Sequence, residues 1–169
     1  SLIGGGSLPI TGDIMAEGLA QASSPGRLQL VGANPTVIVD AAHNPHGARA
    51  LGAALKDSFD FDEWGVVLGV LADKDAAGIV SELAPLAAHV FATEPESERA
   101  EEADRIADLA EAHGLPVTVH ADLADAAESA RAWAAASDRR AVVIAGSVVL
   151  AGEAVGLAAA EDWKAGWSE

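Results

Sequence analysis

One pattern recurs along the chain and constrains its fold more than any other: a short β-branched run, a polar break, then apolar residues at helical spacing. TVIVD (Thr36 to Asp40) precedes Leu51, Ala54 and Leu55; WGVVLG (Trp64 to Gly69) precedes Ala76, Ile79, Val80 and Leu83. HVFAT (His89 to Thr93) precedes Ala103, Ile106, Ala107 and Ala110, and PVTVH (Pro116 to His120) precedes Leu123, Ala126, Ala127, Ala130, Trp133 and Ala134. AVVIAG (Ala141 to Gly146) precedes Ser147 to Leu157, which is apolar nearly all round and so predicts a buried helix. Strands that alternate with helices imply a largely parallel sheet covered on both faces. LQLV (Leu28 to Val31), the turn GANP and TVIVD predict a hairpin, and so a sixth, antiparallel strand.

The punctuation agrees with this division. Asn44 suits an N-cap and Pro45 the first helical position, where a missing N–H costs nothing. Pro85 ends one helix and Gly114 with Pro116 another. Ahead of the hairpin, Asp13 to Gln21 predicts a short helix and SSPGR (Ser23 to Arg27) a turn. The expected division is a linker over 1–22, one α/β domain over 23–160 and a tail over 161–169, consistent with a single core in 169 residues.

Charge narrows the partners. The formal net charge is -16, from 26 acids against 10 lysines and arginines, so the mean field repels nucleic acid and anionic membrane surfaces. Any anion must be bound locally, and the few cations become informative. No apolar run reaches the roughly 18 residues of a membrane span, and there is no cysteine for a disulfide, a thiolate metal site or a nucleophile. A soluble, cytoplasmic protein is expected. The chain opens on Ser1 rather than Met, so either a piece excised from a longer protein or a few added residues at the start is expected.

In an open parallel sheet the strands point their carboxyl ends to one edge, where ligands bind. At that edge the sequence sets Asp40, His43 and Asn44; Asp73, Lys74 and Asp75; Thr93, Glu94 and Arg99; and Gly146 and Ser147. Each also has a plain structural reading. Asp40 and Asn44 suit turn and cap roles, His43 a hydrogen-bonded loop, Lys74 local charge balance, Arg99 a surface ion pair and Ser147 an N-cap. There is no GxxxxGK[ST] loop, no GxGxxG between strand and helix and no GxSxG elbow. His43 and His46 have no third ligand at metal spacing, so no metal site is expected.

SSPGRLQLV, VIVDAAHNPHGARAL, GVLADKD and AGSVVLAGE, in that order, resemble the carboxyl-terminal domain of folylpolyglutamate synthase and dihydrofolate synthase, members of the Mur ligase superfamily. The motifs span Ser23 to Glu153, and PGR with D-x-A-H-N-P is their specific part. The resemblance implies a Rossmann-like three-layer α/β domain with a six-stranded, mostly parallel sheet, an antiparallel N-terminal strand and helices on both faces. It also implies a ligase that activates a carboxylate as an acyl phosphate with ATP and joins it to the amine of glutamate. The acceptor would be folate or dihydropteroate. The P-loop and the Mg2+ ligands belong to an N-terminal ATPase domain of the same enzyme, so this chain alone is expected to be folded but inactive.

By the same resemblance Arg27 contacts ATP phosphate, Asp40 the ribose side and Asn44 the cleft as well as its helix. His43 lies near the reacting groups as the candidate catalytic residue, and Lys74 and Ser147 lie near the incoming glutamate. A guanidinium is a bidentate phosphate partner, and a lysine and a helix amino terminus both suit carboxylates. The sequence departs from the common pattern at Ala41, where glycine is frequent, and at Ala145, where threonine is frequent. Two other readings stand beside this one. The first is a receiver-like module with Asp40 as phosphoryl acceptor, although no acidic cluster precedes it; the second is an interaction domain without chemistry.

Overall fold

The computed structural model describes residues 28–164, so the expected helix over 13–21 and Arg27 lie outside the described residues. Among the described residues there are six strands and five helices. The strands are β1 (Gln29–Gly32), β2 (Val37–Val39), β3 (Glu63–Leu68), β4 (Ala87–Ala92), β5 (Val117–Val119) and β6 (Arg140–Ala145). The helices are α1 (Pro45–Ser58), α2 (Ala76–Leu83), α3 (Ala103–Glu111), α4 (Leu123–Ala135) and α5 (Val148–Ala160). They form one sheet in the order β1-β2-β6-β3-β4-β5, with β1 antiparallel to β2 and every other pair parallel.

The two-residue alternation of each strand divides the core into two layers. Ile38, Val66, Leu68, Val90 and Val143 face α1, α2 and α3, packing on Leu51, Leu55, Ile79 and Ile106. Val39, Val67, Phe91, Val142 and Ile144 face α4 and α5, packing on Leu123, Ala127, Leu150 and Ala154. The central strands are buried on both sides, which is why they carry no polar alternation.

The caps expected at Asn44 and Ser147 are in place, and Asp75 and Asp122 add two beyond those expected. Asn44 Oδ1 accepts the N–H of Gly47 at 2.7 Å with Pro45 opening α1, and Asp75, Asp122 and Ser147 cap α2, α4 and α5. One expectation is corrected. Helix α5 buries a single face, through Leu150, Ala151, Ala154 and Ala158, while Val148 is 60% exposed and Gly152 and Gly156 face solvent. Its uniformly apolar composition is largely Ala and Gly, whose small side chains leave little apolar surface to hide. Beyond it Trp163 is buried against the same layer. No helix among the described residues is long and apolar enough to cross a membrane.

Candidate functional site

The sheet order creates a crevice. The chain leaves β3 toward α2 on one face and leaves the neighbouring β6 toward α5 on the other, so the loops diverge at the carboxyl ends of these strands. Backbone bonds hold the strand ends level across this edge: Asp40 N–H donates to Ile144, Gly69 to Ala145, Thr93 to Leu68 and Gly146 to Ala42. A cleft of about 220 Å3 lies there, with His43, Lys74, Arg99 and Ser147 on its polar side and Leu71 and Val149 on its apolar side.

The loops that carry these residues are tied to one another. Leu71 and Ala100 form an antiparallel bridge, with Ala72 N–H donating to Arg99 O at 2.6 Å and Glu101 N–H to Val70 O at 2.8 Å. Arg99 reaches back to Asp73 Oδ2 at 3.5 Å. Glu94 Oε2 accepts the N–H of Ala103 at the start of α3, and Glu153 of α5 accepts that of Glu96 at 2.9 Å. Burial holds the Glu153 carboxyl above the usual carboxylate range, while the bond from the Glu96 N–H acts the other way. None of these ties is announced by a motif, because each joins loops distant in sequence.

Ser147 is reached through a backbone that only glycine adopts comfortably. Gly146 has φ +115°, and a Cβ there would collide with the Gly69 carbonyl oxygen and approach Leu68 Cδ1 to 2.9 Å. The chain therefore turns sharply enough for Ser147 Oγ to accept the N–H groups of Val149 and Leu150 at 3.0 and 3.2 Å. The amino end of α5, through Ser147, Val148 and Val149, lines the cleft, and the positive end of the helix dipole there favours an anion.

The predicted residues fall into two groups. His43, Lys74 and Ser147 meet at the cleft together with Arg99, which the motif pattern left as a surface ion pair. His43 Nδ1 lies 3.0 Å from Ala41 O, and no carboxylate pairs with Lys74 among the described residues. Asp40 lies beneath the site, 4% exposed, where Oδ1 accepts Leu28 N–H at 2.9 Å and Oδ2 accepts Ala42 N–H at 2.8 Å. A carboxylate so enclosed is not presented to a phosphoryl donor, which argues against the receiver-like reading. Asn44 faces the same loop as the α1 cap, and no group of three or more His, Asp or Glu side chains among the described residues is placed to hold a metal ion.

Residues 26–148 match the family described as Mur ligase, glutamate ligase domain. The chain belongs to this family. Dihydrofolate synthase/folylpolyglutamate synthase of Mycobacterium tuberculosis is 39% identical to this Mur ligase domain over 163 residues, covering 89% of the chain and 34% of the relative. The solved folylpolyglutamate synthase of Mycobacterium tuberculosis complexed with ADP superimposes with a TM-score of 0.77 at 40% identity, over 89% of this chain and 36% of that one. A bifunctional folylpolyglutamate synthase/dihydrofolate synthase solved with Mn, AMPPNP and L-glutamate bound gives 0.68 at 30% identity, covering 89% and 36%. The Mur ligase domain thus spans about a third of the length of these relatives.

Proposed function

We propose that this chain is the glutamate-binding domain of an ATP-dependent folate:glutamate ligase, a folylpolyglutamate synthase, a dihydrofolate synthase or both. The observation that carries the reading is the cleft at the strand edge, where Lys74, free of any carboxylate partner among the described residues, stands with Arg99 beside the amino end of α5. In a chain of net charge -16, cations gathered in a cleft favour a small anion. Its volume of about 220 Å3 lies below the roughly 300 to 1,000 Å3 of pockets for drug-sized ligands and suits one amino acid.

In this reading a folate or dihydropteroate carboxylate takes the γ-phosphoryl group of ATP, giving an acyl phosphate and ADP. The glutamate amine then attacks the acyl carbon, inorganic phosphate leaves and the amine loses a proton. Lys74 and the α5 terminus bind glutamate carboxylate, with Ser147 shaping that terminus. Arg27 binds ATP phosphate, and Asp40 faces the ribose side while holding Leu28, the neighbour of Arg27. Asn44 lines the ATP wall, and His43 stands at the reacting groups. A P-loop ATPase domain of the same enzyme supplies the Mg2+ ligands, and the cytoplasm is the compartment where these substrates meet.

The test is glutamate-dependent amide formation by the full-length enzyme containing this chain, with ATP and either dihydropteroate or a reduced folate. One ADP, one phosphate and one amide per turnover are expected. Lys74→Ala should raise KM for glutamate by about 10- to 100-fold, as expected for a charged hydrogen bond of roughly 1.5 to 3 kcal/mol, with little change in KM for ATP. Release of ADP that is indifferent to glutamate, with no amide formed, would refute the proposal.

A further inference from the structure

Arg99 differs from most other arginines of the described residues in how its guanidinium is held. Arg49 makes two hydrogen bonds to Glu82, Arg139 bonds Asp60 and Asp62, and Arg140 bonds Glu63 and Trp133 O. Arg99 makes the longest ion pair among the described residues, 3.5 Å to Asp73, with a side chain 66% exposed. That distance exceeds the roughly 2.7 to 2.9 Å of a charge-assisted hydrogen bond. Its root, by contrast, is pinned by the bridge that joins the loops after β3 and β4. The result is a fixed arginine with a loosely engaged fork, lining the cleft together with a lysine that no described carboxylate partners.

We infer that Arg99 binds one carboxylate of the incoming amino acid and so selects for a dicarboxylic substrate. This rests on the ligase reading above. Two cations, Lys74 and Arg99, border a small cleft that also has an apolar side, formed by Leu71 and Val149. That arrangement matches a ligand with two anionic ends joined by a short aliphatic link. Asp73 then acts as a placeholder: the substrate's carboxylate replaces its loose contact with a bidentate one, and Asp73, whose side chain is 52% exposed, is left to solvent. The discrimination is strong because an amide at that end of the ligand cannot accept from the full fork and sets its own N–H groups against it.

The experiment uses the full-length ligase and its Arg99→Ala, Arg99→Lys and Asp73→Asn variants, with glutamate, glutamine and isoglutamine as competing acceptors. Arg99→Ala should raise KM for glutamate at least about tenfold and leave KM for ATP within about twofold. It should also narrow the preference for glutamate over one of the two amides and spare the other. Arg99→Lys should fall between, and it carries the test if the alanine variant does not fold. Asp73→Asn should not raise KM for glutamate. Unchanged KM and preferences in Arg99→Ala would overturn the inference, as would an Asp73→Asn enzyme that matches Arg99→Ala, since Arg99 would then act only by holding the loop. These outcomes leave the ligase reading standing, whereas a wild-type enzyme that joins no glutamate at all overturns both.

Discussion

Asp40 follows a strand in which every residue is buried, and its two oxygens accept the N–H groups of Leu28 and Ala42. One of these donors belongs to Leu28, whose φ of +46° is in the left-handed region that side chains with a Cβ rarely adopt. Asp40 therefore holds β1 at the point where it emerges from the PGR motif, as well as closing the turn toward His43. Removing the carboxylate leaves two backbone donors without it in a dry site. Asp40→Ala should lower stability by about 2 to 3 kcal/mol in urea denaturation, and Asp40→Asn, which retains one acceptor oxygen, by about 1 kcal/mol. An alanine variant as stable as the parent would mean that these bonds are replaced elsewhere. The sequence shows an acid at this place but not whether its oxygens face inward or outward, because the donor at Leu28 lies 12 residues away, just before β1.

At the scale of elements, the edge formed by β4 and β5 carries a titratable cluster apart from the cleft. His89 of β4 stacks on Phe91 with ring centroids 4.2 Å apart, and His120, just past β5, bonds Asp125 at 2.8 Å and Thr118 at 2.8 Å. Burial, then the nearby His120 and Arg140, hold the His89 imidazole below its ordinary range. In the unfolded chain it takes a proton near pH 6.5, roughly, and in the folded chain only at lower pH. Between those values the unfolded state binds more protons, so His89 lowers stability as pH falls through about 6.5 toward its folded value and contributes no slope outside that window. His89→Gln should show a shallower loss of stability between about pH 7 and 5, by thermal or urea unfolding at each pH. An identical slope would show that His89 titrates alike in both states. The strands themselves are legible as β-branched runs, whereas the single buried face of α5 is not, because an apolar sequence of small residues does not reveal how many of its sides are covered.

At the scale of the whole molecule, the described residues form one sheet with the cleft at the carboxyl ends of its strands. No GxxxxGK[ST] loop occurs in the 169 residues, and the chain covers 34% of a relative to which it is 39% identical over 163 residues. We expect the isolated chain to unfold cooperatively, as one core with two packed layers should, and to form no amide with ATP, glutamate and dihydropteroate or folate. Product detected by mass spectrometry from this chain alone would refute that expectation.

The sequence by itself determined the alternation of elements, the caps that start α1 and α5 and the polarity of the strand ends, since each is a local property of period, backbone freedom and side-chain type. It also carried the order of motifs that marks the family. The tertiary structure decided which polar ends share a space. His43, Lys74, Arg99 and Ser147 follow β2, β3, β4 and β6, and they converge because β6 inserts between β2 and β3. The bridge that fixes Arg99 joins two loops whose pairing has no local signature. Contacts of this kind depend on crossovers closing distant loops together, and no local pattern of residues encodes that closure.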